Sequence, residues 1–494
     1  MTTKTAAAIA ANRFGLGARP GELSRMESPG AWLKQQLQAG PPLLTSPELK
    51  STAEVMAGAA KLAENVRDLG PNGKEDLKER SVDMTEPAAA AQARQQLIAN
   101  KLPAYYRPIY AADSAARIRS AISTNRPFVE RLVYFWSNHF AVSVDKIAVL
   151  ALAGCMEREA IRPNVLGKFS DLLLSVEKHA AMQLFLDNPQ SIGPNSPLAQ
   201  LASRRQPAAT QRRQLGLNEN LAREILELHT LGVDGGYTQT DVASFAKVIT
   251  GWSLEGLPNQ LGGQLARNGT PGAPGAFVFR AALHEPGPQT VVGRRYAQEG
   301  VQQGEAVLRD LAAAPQTAKH IATKLARHFI ADDPPTAAVS RLTDAYLKSG
   351  GDLPTVYAAL IDAPEAWASD AAKFKTPHDY VVSIFRGLEL PLPAQSQQAV
   401  NSLTMLGQQQ FRPGSPAGWP DRSADWDGPA AVMKRIEMAN SLAQRVGNNR
   451  DAAALAPQLL GETLTEATRT AIARAESGVQ GLTLLLTAPE FMRR

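Results

Sequence analysis

The stretch from 217 to 252, LNENLAREILELHTLGVDGGYTQTDVASFAKVITGW, crowds an Asn, three carboxylates, an Arg and a His onto one short helix. These side chains suit proton transfer, ion pairing or metal ligation. Wound at about 100° per residue, Asn220, Glu224 and Glu227 share a face, and Leu221, Ile225 and Leu228 form the adjoining apolar stripe. Burial beside that stripe would raise the Glu224 carboxyl and suit it to general acid–base work. Arg223 would hold an anionic substrate group. His229 falls on another line with Asn218, Ala222 and Ile225, so one metal does not easily take both it and Glu227. His139 continues the stripe Phe128, Leu132 and Phe135 of an earlier helix and faces inward, where an imidazole needs a partner. The candidate catalytic set is therefore Glu224, His229, His139 and Arg223. The candidate substrate-binding set is Asp187, Asn188, Asn218 and Asp234. If a metal is bound, its ligands would be Glu224, Glu227 and His139. The same helix has a second account, an internal ion-pair network in which Glu224 and Glu227 meet arginines such as Arg158 or Arg162.

The elements that must position these groups carry their own signals. Gly232 is a natural helix-stop residue, which leaves His229 in the last turn. Asp234-Gly235-Gly236 spells a tight turn, and Thr238 with Asp241 spells a capping box. The helix RPFVERLVYFWSNHF takes Asn125 as cap and Pro127 in its first turn. After Pro163 a long helix buries Leu166, Phe169, Leu173, Val176, Ala180 and Leu184, with His179 beside that face. It runs into LDNPQSIGPNSP, whose short polar side chains can bind a ligand or satisfy their own turns. Further on, Ile321, Leu325 and His328 form an inward stripe, and His320, Lys324 and Arg327 a polar face. His378 lies in a helix start capped by Thr376 and Asp379. No His-x-x-x-His or His-Glu-x-x-His spacing occurs, and no Gly-x-Ser-x-Gly, phosphate loop or dinucleotide fingerprint. The sequence specifies no cofactor.

Composition bounds the rest. An apolar fraction of 44%, a charged fraction of 20% and a net charge of +5 over 494 residues describe a soluble globular chain. Straight-chain residues outnumber β-branched and aromatic ones, which favours helices. The expected fold is mainly α, a multi-helix globular bundle with a small β-hairpin insertion near 276–296, where AFVFRAAL and QTVVGRRY alternate. Four regions follow: an N-terminal helical segment at 1–115 with a flexible polar excursion at about 41–87, a central helical core at 116–256, a Gly/Pro-rich loop and hairpin at 257–300, and a C-terminal helical region at 301–494 packed on the same core. No apolar run approaches the roughly 18 residues of a membrane span. The N-terminus lacks the apolar core of a secretory signal, so the cytoplasm is the simple expectation, with export alongside a partner left open. The lone Cys155 excludes an internal disulfide. Arg204, Arg205, Arg212 and Arg213 cluster in an aromatic-poor loop, which reads as solvated and not as a nucleic-acid face.

Several segments together resemble the bacterial domain of unknown function 1800 family: RFGLGARP, ERLVYFWSNHF, AIRPNVLGKFSDLLLSVEKHAAM, FLDNPQSIGPNSP, GLNENLAREILELHTLGVDGGYTQTDV, the DDPP after His328, the GWP at Gly418 to Pro420, and the closing APEFMRR. The chain departs from the family pattern at Asn164, where many members have His, and at Ala180, where many have Pro. The resemblance implies a mainly helical protein without an assigned activity. It also implies a frequent genomic neighbour, the domain of unknown function 1501 family, which is similar to sulfatases and alkaline phosphatases and often exported. The positions matching the strongest motif are Asn218, Glu219, Arg223, Glu224, Glu227, His229 and Asp234, with Asp187 and Asn188. Three functions remain open at this stage: an enzyme with a buried Glu/His/Arg pocket using acid–base or metal-assisted chemistry, a non-catalytic helical partner or maturation factor of that exported neighbour, or, least favoured, a binder of an acidic polymer through the arginine loop at 204–213.

Overall fold

The computed structural model describes residues 2–67, 87–205, 216–257, 272–370, 373–390 and 397–494. Helices dominate it, and their starts obey local rules. Thr238 and Asp241 form the expected reciprocal capping box at the head of Gln239–Val248. Asp352, Thr376, Thr465 and Ser477 cap other helices through their side-chain oxygens. Proline fills the first turn of Pro127–His139 and Pro315–Phe329, where its missing N–H costs nothing. The cap of Pro127–His139 is Arg126 and not Asn125, whose side-chain oxygen instead accepts from Arg19 at 2.9 Å. The long helix expected after Pro163 breaks into Arg162–Asn164, Phe169–Glu177 and Ala180–Phe185. His179 makes the second break: its backbone is extended, and its Nδ1 accepts from the Ala181 N–H at 3.1 Å to cap the last piece.

Among the described residues, four short strands form two antiparallel pairs and not one hairpin. AFVF contributes β2 (Phe277–Phe279), which pairs back to β1 (Trp252–Leu254). QTVVGRRY folds on itself as β3 (Gln289–Val291) and β4 (Arg294–Tyr296). The connecting Val292 and Gly293 have φ of 47° and 71°, the left-handed pair that a two-residue hairpin turn requires. Within 41–87, Thr52–Arg67 is helical, with Val55 and Val66 buried. Residues 68–86 of that span lie outside the described residues, as do Arg212 and Arg213 of the basic loop.

Among the described residues, buried apolar side chains gather in two clusters. The larger runs from Ala7 to Ala366 and includes both sides of the polar motif. The smaller joins residues between Phe374 and Met492 to Leu16, Ile118, Ala121 and Ile122. The Pro127–His139 helix spans the seam. Phe128, Leu132 and Trp136 belong to the first cluster, while Tyr134 packs against the second. Among the described residues, no helix is long and apolar enough to cross a membrane.

Candidate functional site

The polar helix is not uniform. Asn220–Glu224 is α-helical, but Ile225–His229 winds as a π-turn. A π-turn closes i→i+5 bonds in place of i→i+4, so residues beyond Ile225 are rotated away from their α positions. Thr230 Oγ1 donates to the Ile225 carbonyl at 2.6 Å and seals the turn. His229, fully buried, meets the equally buried Glu177 at the end of Phe169–Glu177, with Nδ1 2.8 Å from Oε1. His139 Nε2 donates to the His229 carbonyl at 3.1 Å, and His320 Nε2 to the Leu228 carbonyl at 3.2 Å. The last carbonyls of a helix have no partner within it. Here two imidazoles from other helices satisfy them. Burial, reinforced by Lys324, holds His139 well below its ordinary value and His320 at about 4, so both serve as neutral donors.

The other expected residues have separate duties. Arg223 is partly exposed and pairs with Glu219 at 2.9 Å and Gln239 at 3.0 Å. Glu224 is half-buried; burial raises its carboxyl, and His229 opposes the rise. Glu227 accepts from the Tyr237 hydroxyl at 3.3 Å. Asp187 sits in left-handed backbone and pairs with Lys146 at 2.6 Å. Asn188 is buried and donates to the Gln183 side chain and to the Ile249 and Trp252 carbonyls. Asn218 clamps the Leu186 and Asp187 carbonyls while its oxygen accepts from the Asn220 N–H. Asp234 is exposed in its turn. The fold thus brings Glu224, Glu227, His229 and His139 within electrostatic reach around Glu177 and His229. It leaves Arg223 and the four substrate-binding candidates engaged elsewhere or at the surface. Glu224, Glu227 and His139 do not gather as a ligand set: among the described residues, no group of three His, Cys, Asp or Glu side chains is arranged to hold a metal ion. An ion-pair network does exist, with other carboxylates. Arg158 pairs with Asp113 at 3.0 Å, and Arg162 with Glu130 at 2.6 Å and Glu157 at 2.9 Å.

Further along the Pro127–His139 helix, Arg131, Tyr134, Ser137 and Asn138 line a cavity of about 90 Å³, room for several waters or a small molecule. Its rim reaches the surface at Gln409, Trp419 and Pro420. Gly418, at φ +86°, lets the backbone press against Asn138, whose side chain accepts from Trp419 N–H at 2.7 Å and donates to its carbonyl at 2.9 Å. The Pro315–Phe329 helix supplies His328, and the first turn of Pro377–Gly387 supplies His378 and Asp379. His328 Nδ1 lies 3.5 Å from Asp421 Oδ1, and His378 Nδ1 lies 3.8 Å from Asp379 Oδ1. The Nε2 atoms of both histidines and the Tyr134 hydroxyl are buried without a partner among the described residues. The Tyr134 and His378 rings stack with centroids 3.6 Å apart, and Arg117 covers the tyrosine at 3.8 Å.

The charges around this cavity are held firmly. Burial alone would raise the Asp379 carboxyl, but Arg131 at 3.0 Å and Arg494 at 2.9 Å more than reverse that and hold it well below the usual range. Burial likewise opposes ionisation of Glu157, and Arg117 and Arg162 outweigh it. Burial pushes His328 down to about 4 and lowers His378, each partly offset by its aspartate. At neutral pH both are neutral imidazoles, with Nδ1–H toward a carboxylate and an Nε2 lone pair free to accept. Such a pair can orient a ligand hydroxyl or water and take its proton.

Tyr134, Glu157, His378, Asp379, Asp421 and Trp419 were not singled out by their spacing as site residues. The signal for them was weak but present: Trp419 and Asp421 belong to or follow the GWP segment, and Asp332 of DDPP anchors that segment by accepting from Ser423 N–H at 2.9 Å. Compared with known proteins, residues 9–493 match the family model described as "Protein of unknown function (DUF1800)". No curated protein and no solved structure matches the chain.

Proposed function

Because the chain belongs to the DUF1800 family, a family of unknown function, we propose a function from the site itself: an enzyme that uses the His328 cavity for acid–base chemistry on a small polar molecule. The observation that carries this reading is the set of three unpartnered buried groups, His328 Nε2, His378 Nε2 and Tyr134 Oη, on residues lining one cavity. Leaving such groups unpartnered is costly, roughly 1–3 kcal/mol each. A scaffolding or maturation partner has no need to bear that cost. A site that meets a ligand does.

His328 accepts a proton at Nε2 from water or a substrate hydroxyl, and Asp421 stabilises the imidazolium that results. His378 Nε2 and Tyr134 Oη orient the substrate through hydrogen bonds. Arg131 and Arg494 keep Asp379 ionised, so His378 retains its tautomer. Glu177, His229 and His139 are positioning residues: by tying the polar helix to the Pro127–His139 helix, they set the depth of Arg131 and Tyr134. Glu224 stands outside the cavity lining.

A panel of chromogenic esters, phosphates and sulfates, paired with small-molecule thermal-shift screening, tests the proposal. Turnover should fall at least about 100-fold in folded His328→Asn protein, and ligands that stabilise the parent should fail to stabilise that variant. Ligands or turnover unaffected by His328→Asn, Tyr134→Phe and His378→Asn would remove this site from the chemistry.

A further inference from the structure

Next to Asp379, but outside the cavity lining, lies a buried cluster with far more positive than negative charge. Lys375 is 1% exposed, its ammonium 4.5 Å from the centre of the Phe491 ring, and its Nζ has no hydrogen-bond partner among the described residues. Arg435 is equally buried. It donates through Nη2 to the Lys375 carbonyl at 2.7 Å and stacks over Phe374 at 4.2 Å, but its Nη1 has no partner among the described residues. Arg494 reaches Asp379 at 2.9 Å, and its Nη1 too has no partner among the described residues. Arg131 and Arg494 pair with the Asp379 carboxylate, while Lys375 and Arg435 feel it only from beyond ion-pair distance. Asp421 and Asp427 act on Arg494 and Arg435 from beyond ion-pair distance.

Unpaired cations in an apolar interior are strongly unfavourable unless something neutralises them. Three unsatisfied donors from three chain segments, walled by Phe374 and Phe491, describe a receptor for a small anion. We propose that Lys375, Arg435 and Arg494 hold a chloride-sized inorganic anion that completes the packing behind Asp379. The site is independent of the proposed chemistry at His328. With the site empty, burial chiefly lowers Lys375 to about 7, while Asp379 raises it and Arg131, Arg494 and Arg435 lower it further. A bound anion restores the ammonium. Binding above pH 7 therefore takes up a proton, and affinity falls as pH rises.

The test uses the full chain at constant ionic strength, exchanging chloride for gluconate, which is too large for the site. Chloride at about a hundred times its Kd should raise Tm by on the order of 2–3 °C. Lys375→Met should lose that increment while melting higher than the parent in gluconate, because a buried unpaired ammonium has gone. Lys434→Met, at an exposed position of the helix that carries Arg435, should keep the increment. Crystals grown in bromide should show an anomalous peak within hydrogen-bond distance of Lys375 Nζ, a measurement that needs no variant. Equal melting in both salts, a chloride response retained in Lys375→Met, or crystals with only water or nothing at that position would each overturn the proposal.

Discussion

Replacing His328 with Asn should flatten the acid sensitivity of the folded chain. In the native state burial holds His328 at about 4, against 6.5 for the free imidazole, and its side chain is only 13% exposed. Above pH 6.5 both folded and unfolded states carry a neutral ring, so the residue adds no pH dependence there. Between 6.5 and 4 the unfolded chain binds a proton that the folded chain refuses. Stability present above 6.5 is therefore lost as pH falls, and the loss is complete below about 4. The interval corresponds to about 3 kcal/mol. An unfolding entropy of roughly 2.1 cal/mol/K per residue gives about 1 kcal/mol/K for 494 residues, so the expected Tm difference is about 3 °C if the chain melts as one unit. Melting curves of parent and His328→Asn, taken from pH 8 to 4.5, should run parallel above 6.5 and converge below it. His320, also held at about 4, remains in both proteins, as does Asp113, which burial raises to about 6 and which acts with the opposite sign. Those contributions cancel in the difference. Identical pH slopes for the two proteins, or a histidine nitrogen spectrum showing His328 protonated at pH 6, would refute the reasoning.

Arg162→Met should strand Glu130 in the core, leave Glu157 with Arg117 alone, and cost about 3–5 kcal/mol, read as a lower urea midpoint; a loss under about 1 kcal/mol would mean that Arg162 is not the hub of the buried network described. Gly418→Ala should cost about 1–2 kcal/mol for its left-handed backbone alone, and more because the added Cβ collides with the Asn138 carbonyl; Trp419 fluorescence should shift as that wall moves, and an unchanged spectrum with unchanged Tm would exclude the close contact.

Much of the architecture was legible in short sequence windows. The predominance of helix, the Thr238–Asp241 capping box, Pro127 in a first turn and the inward orientation of His139 all follow from caps, proline geometry and a helical period, which act over a few residues. The segments of β2, β3 and β4 were recognisable, but β1 and the pairing were not. Alternation marks a strand without naming its partner, and β2 turned back to Trp252–Leu254 while QTVVGRRY closed on its own Val292–Gly293 turn. The break at His179 was hidden because its ring caps the following helix, a role ordinarily sought in Ser, Thr or Asp.

The site shows the same division. Residue types and local periods determined that the polar helix would bury ionisable groups and that His229 would lie near its end. They could not show that Ile225–His229 winds as a π-turn, which rotates the later side chains off the assumed wheel and delivers His229 to Glu177. Nor could they show that Arg158 and Arg162, which seemed matched to Glu224 and Glu227, are taken by Asp113, Glu130 and Glu157. The cavity depended wholly on tertiary structure. Tyr134, His328, His378 and Asp421 come from distant segments, and each is unremarkable in its own window. Periodicity and capping are set by neighbours along the chain. Desolvation, which leaves His328 neutral and its Nε2 unpartnered, is set by whatever the fold packs around the residue, and no local rule specifies that.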